Sequence, residues 1–116
     1  MNELSDTTIA RIRSLQGKPF PVAVRGVSMQ PTLFEGDQVL IQRMPSYEPG
    51  DILVYEYGAE GLLIHRFLHL EHGLYHCRGD NSARVERISF RRIMGKVLSF
   101  ADGRPVPPYP SNRWPE

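Results

Sequence analysis

Residues 51–78, D-I-L-V-Y-E-Y-G-A-E-G-L-L-I-H-R-F-L-H-L-E-H-G-L-Y-H-C-R, hold three strand-like runs separated by two turns. The runs are 51–57, 62–70 and 74–78. Residues 58–61 and Glu71-His72-Gly73 have turn composition, since glycine reaches backbone conformations that side chains resist. The stretch therefore predicts two consecutive hairpins. Upstream, 22–24 and 38–43 read as further strands, divided by Glu35-Gly36-Asp37; 45–50 is a turn, and 93–101 is a last strand. Many short strands with frequent glycine and proline predict a mostly β sandwich or irregular barrel and argue against an α/β layer fold.

A short helix is predicted over 5–16. Ser5 caps its free N–H groups, Asp6 suits the positive end of its dipole, and Gly17 and Pro19 stop it. Its apolar residues, Leu4, Ile9, Ile12 and Leu15, make a ragged stripe, so it is expected to pack loosely or to dock elsewhere. The proline-rich tail is expected to be extended and mobile. The expected division is a helical segment 1–18, a β domain 19–103 and a tail 104–116.

A chain of 116 residues fits one domain and can bury a core without covalent staples. A net charge of +1 gives no general pull on nucleic acid. Cys77 is the lone cysteine, so no internal disulfide forms. No apolar run approaches the roughly 20 residues that span a bilayer. The polar N-terminus does not read as a secretory signal. The expectation is a soluble, cytoplasmic protein, with peripheral membrane association left open.

Chemistry concentrates in Gly26 to Asp37, G-V-S-M-Q-P-T-L-F-E-G-D. A serine placed after a strand and before a proline-containing turn can stand exposed, with its own N–H helping to form an oxyanion hole. Alone, Ser28 reads better as a turn serine bonded to backbone. It is not alone. Gly26-Val27-Ser28-Met29-Gln30-Pro31-Thr32-Leu33 resembles the nucleophile box of the type I signal peptidases. Gly36-Asp37-Gln38-Val39-Leu40-Ile41 and Pro49-Gly50-Asp51-Ile52-Leu53-Val54-Tyr55 resemble the two strands that follow it. Ile64-His65-Arg66-Phe67 falls at the family's base position, and Gly79-Asp80-Asn81-Ser82 resembles its glycine-aspartate-asparagine box. Five boxes in order are far more specific than any one.

LexA-type self-cleaving repressors share that fold. The residues before Ser28 are too few for a helix-turn-helix domain. They also contain no Ala-Gly or Cys-Gly bond for self-cleavage, so the signal peptidase side is favoured. Bacterial members use a lysine base, but neither Lys18 nor Lys96 falls at its position. His65 does, as in the endoplasmic-reticulum and archaeal branch, to which this chain is therefore similar. An imidazole accepts a proton without a large desolvation shift. By itself, His65 would read as a strand histidine bonded to a carbonyl. An acid is then wanted on the other ring nitrogen. Asp80 is ranked slightly ahead of Glu86, although Asp80 also suits a turn cap and Glu86 an arginine partner. With glycine at position 26, no side chain donates to the oxyanion, leaving the Ser28 N–H and the Gly26 region. The resemblance further implies that Met29, Pro31 and Leu33, with Phe34, shape an apolar substrate pocket; core packing explains them equally well.

Other signals rank lower. His65, His69, His72, His76 and Cys77 permit a zinc reading, and His65 and His69 would share a strand face. The stretch lacks a second compact ligand pair, so no metal or other cofactor is assigned. Cys77 reads as a small buried apolar residue. Arg84, Arg87, Arg91 and Arg92 read as solvated surface paired with Glu86 and others. The favoured function is a serine endopeptidase acting on a leader or signal-type peptide, with a protein partner left open. The alternative is a catalytically silent module that binds a peptide or partner on the same fold.

Overall fold

The strand periodicity of the sequence produces a seven-stranded antiparallel sheet of order β1-β2-β7-β3-β4-β5-β6, here seen in a computed structural model that describes residues 5–109. The strands are β1 (Phe20–Ala23), β2 (Gln38–Gln42), β3 (Ile52–Glu56), β4 (Leu62–Glu71), β5 (Leu74–Arg78), β6 (Val85–Ile88) and β7 (Ile93–Phe100), preceded by α1 (Asp6–Leu15). The mostly β expectation holds. The difference is β6, which the sequence reading left out. Its inward positions are Glu86 and Ile88, so a charged residue interrupts the apolar alternation that marks a half-buried strand.

β3 lies at the centre and is buried on both faces. Ile52 and Val54 join one apolar cluster with Phe20, Leu33, Ile41 and Met94. Leu53 and Tyr55 join a second cluster with Phe67, Cys77, Ile88 and Ile93. The turn between β4 and β5 has His72 at φ 52 and Gly73 at φ 76. Two positive φ values match the twist of the strands and close a tight two-residue hairpin.

Ser5 caps α1, its hydroxyl accepting from the Thr8 N–H at 3.1 Å. The ragged apolar stripe does not seat the helix: Ile12 and Leu15 are 47% and 61% exposed. Ala10 and Ser14, one turn apart, face inward, and the Ser14 hydroxyl donates to the Met94 carbonyl at 2.7 Å. Small side chains let the helix approach β7 closely, which a row of isoleucines would prevent. Leu4 and tail residues 110–116 lie outside the described residues. No helix among the described residues is long and apolar enough to cross a membrane.

Candidate active site

Residues 24–37 form a loop between β1 and β2, closed at its base. The Val24 N–H donates to the Asp37 carbonyl at 2.8 Å, and the Gly36 N–H to the Val24 carbonyl at 3.0 Å. Met29 and Leu33, 2% and 0% exposed, plug the loop into the core. Ser28 stands one residue before this plug, following Gly26, whose φ of 74 favours glycine. The segment 79–82 holds the loop from the other side. The Asn81 N–H donates to the Ser28 carbonyl at 2.8 Å and its side-chain amide to the Val27 carbonyl at 3.1 Å.

Gly79 makes that approach workable. A Cβ there would lie 2.5 Å from the Ser28 carbonyl oxygen and 3.1 Å from two atoms of the His65 ring. Gly79→Ala must therefore displace the backbone of Ser28. Misplacement by about 1 Å costs on the order of 10^2-fold in rate, so a peptide-cleavage assay should show at least that loss. Unchanged activity would mean the loop has slack that the packing does not suggest.

His65 pairs with Leu53 across β3 and β4 and faces the second cluster, 3% exposed. Its Nε2 lies 3.0 Å from the Ser28 Oγ. On the other side of the ring, Nδ1 is 2.7 Å from Glu86 Oε1. The register carries Glu86 there: β6 pairs it with Cys77, and Cys77 pairs with Phe67, two residues along β4 from His65. The Tyr55 hydroxyl donates to the same Glu86 oxygen at 2.7 Å. With the Tyr55 proton committed to a carboxylate, the imidazole proton belongs on Nδ1. This leaves the Nε2 lone pair toward Ser28.

Glu86 is fully buried. Burial alone would push its carboxyl up, but hydrogen bonds from His65 and Tyr55, with Arg84, outweigh it and hold the group below its ordinary range. Arg84 donates through Nε to Glu86 Oε2 at 2.7 Å and through its other nitrogens to Glu60. Tyr55 is raised far above an ordinary phenol, chiefly by burial, and so remains a donor.

The sequence profile of the family described as Peptidase S24-like matches residues 3–98. The chain belongs to that family. It is thereby placed among the serine peptidases of the LexA-like and signal peptidase superfamily. No curated protein matches the chain.

Within this S24-like domain, the ranking of the two acids reverses. Asp80 accepts from Arg66 Nε at 3.2 Å, from Arg66 Nη2 at 2.7 Å and from the Thr32 hydroxyl at 2.6 Å. Register puts Arg66 and His65 on opposite faces of β4, so an acid paired with Arg66 does not serve His65. Glu86 is the carboxylate on the ring. The expected pairing of Arg84 with Glu86 is present. Sequence reasoning missed the roles of Tyr55, Gly79 and Asn81; the boxes contained all three, but only pairing across strands reveals what each one touches.

The expected substrate set is corrected as well. Leu33 is wholly within the core and Pro31 is exposed away from the groove described below; only Met29 borders it. The Ser28 N–H donates to no group among the described residues, leaving it available beside Gly26. The five-residue zinc set does not assemble. A bulge between Phe67 and His69 turns His69 to the face opposite His65, contrary to strict alternation. Cys77 is fully buried, and burial first, then the Glu86 charge, push its thiol up to about 12, which keeps it an inert thiol.

A groove of about 370 Å³ leads to Ser28. β1 contributes Val22, the residue after it Val24, the start of β4 Leu62 and Ile64, and α1 supplies a wall with Ile9 and Arg13. Among the described residues β1 ends the sheet and pairs only with β2, which leaves its outer edge to another strand.

Proposed function

We propose that this chain is a serine endopeptidase of signal-peptidase type that cleaves a leader or signal-like peptide with Ser28, His65 and Glu86. The carrying observation is the continuous chain of contacts from the Ser28 Oγ to His65 at 3.0 Å and from His65 to Glu86 at 2.7 Å. Ser28 Oγ attacks the scissile carbonyl carbon while its proton passes to His65 Nε2. The resulting imidazolium keeps its Nδ1–H on Glu86, whose charge offsets it in a dry site. The oxyanion faces the Ser28 N–H near Gly26. Collapse returns the proton from Nε2 to the leaving amine and leaves an acyl-enzyme. Water, activated by His65, then releases the second product. A histidine base supports a likeness to the endoplasmic-reticulum and archaeal branch of signal peptidases as part of this reading.

The substrate would lie extended in the groove along β1, its backbone pairing with the open edge and its side chains against Val22, Val24, Leu62 and Ile64. The working setting, cytoplasmic or at a membrane through a protein partner, belongs to the same reading. A serine-directed phosphonate tests the core of it. Labelling of the native chain, with loss of the adduct in Ser28→Ala, is the expected result. No labelling at any pH from about 6 to 9 would leave a peptide-binding module on the same fold. An intact mass after prolonged incubation is also expected, and a self-cleaved chain would move the reading to the repressor side.

A further inference from the structure

We propose that His69, Glu71 and His76 form a binding site for a borderline divalent transition ion such as Zn2+, on the face of β4 opposite His65. The bulge in β4 creates it. By turning His69 over, it sets His69 directly across from His76 on β5, and Glu71 follows on the same face at the strand end. One donor atom from each residue lies within 4.8 Å of the others. A tetrahedral ion with bonds of roughly 2.0–2.2 Å needs donors about 3.3 Å apart. His69 Nε2 and Glu71 Oε1 are already 3.3 Å apart, so small side-chain rotations close the set.

The two imidazole rings lie 4.5 Å apart, tilted by 32°. His76 is only 8% exposed, yet its ring nitrogens make no hydrogen bond among the described residues and are not sealed from solvent. An immobilised imidazole with an open nitrogen loses little freedom on ligation. Two imidazoles and one carboxylate favour Zn2+, Co2+, Ni2+ or Cu2+ over Mg2+ or Ca2+. His72 Nδ1 is 3.8 Å from the second Glu71 oxygen and 89% exposed, a fourth ligand within reach of a rotamer change. Arg87, across from His76 on β6, and Arg78, two residues along β5, are the nearby cations on this face, and Glu71 carries the opposite charge. The ion would tie β4 to β5 beside their turn, a structural staple separate from the hydrolytic groups.

The test is titration of Zn2+ into the full chain against a chromophoric chelator, repeated with Co2+ and its visible absorption. His69→Ala and Glu71→Gln alter exposed residues and should leave the circular dichroism spectrum unchanged. The wild type should bind one ion per chain and melt at a higher temperature with Zn2+ present. Each variant should bind about tenfold more weakly or worse. Three results overturn the site: no binding by the wild type, affinity unchanged in both variants, or loss in His65→Ala instead, which would put the ion at the catalytic face.

Discussion

Glu86→Gln is expected to lower kcat by on the order of 10^3- to 10^4-fold while the fold stands. The carboxylate takes donors on both oxygens: His65 Nδ1 and the Tyr55 hydroxyl on one, Arg84 on the other. An amide of the same shape offers one acceptor and one donor, so it either repels the imidazole proton or turns its NH2 toward Arg84. Even in the better orientation it cannot balance the positive charge that His65 gains in the transition state. KM should move little, because Glu86 is buried away from the groove. Stability supplies a second readout. The Glu86 carboxyl is held below its ordinary range when folded. Its contribution is therefore present above the unfolded value and is lost as pH falls through the folded one. The acid limb of a Tm-against-pH curve should be shallower in Glu86→Gln. Equal kcat in the variant would remove the acid from the mechanism.

The second large effect lies across the strand. Asp80→Ala leaves the Arg66 guanidinium buried without its bidentate partner and strips Thr32 of an acceptor. Breaking a buried pair from one side costs about 3–5 kcal/mol, against a total stability of roughly 5–15 for a domain. Urea unfolding should show the midpoint falling steeply. Activity should fall as well, because the turn that holds Asp80 also grips the Ser28 carbonyl. A loss below about 1 kcal/mol, the range of exposed pairs, would show that the pair is better hydrated than its burial suggests.

These two substitutions mark where the sequence could be read and where it could not. Ser28 and His65 were legible because each sits in a box with a fixed order of neighbours. The hairpins were legible because glycine punctuates them. Glu86 ranked behind Asp80 because Asp80 lies in a recognised box and a glutamate carries its carboxylate about one methylene further than an aspartate would. The deciding facts are the pairings of Phe67 with Cys77 and of Cys77 with Glu86, and register is not written in any local pattern. The same blindness covers His69, which strict alternation assigns to the wrong face. One inserted residue in a ladder leaves no mark in composition. Tyr55 looked like core because it is core, and its hydroxyl acquires meaning only from the neighbours on two other strands.

β6 is the outermost strand on its side, and among the described residues its backbone pairs with β5 alone. A short terminal ribbon detaches more readily than the strands inside it. Every brief excursion of β6 would withdraw the acid and leave the imidazole without a counter-charge, though the rest of the molecule stays assembled. Warming should then silence the hydrolase before it melts, and a partner that clasped this margin would act as a throttle without touching the groove.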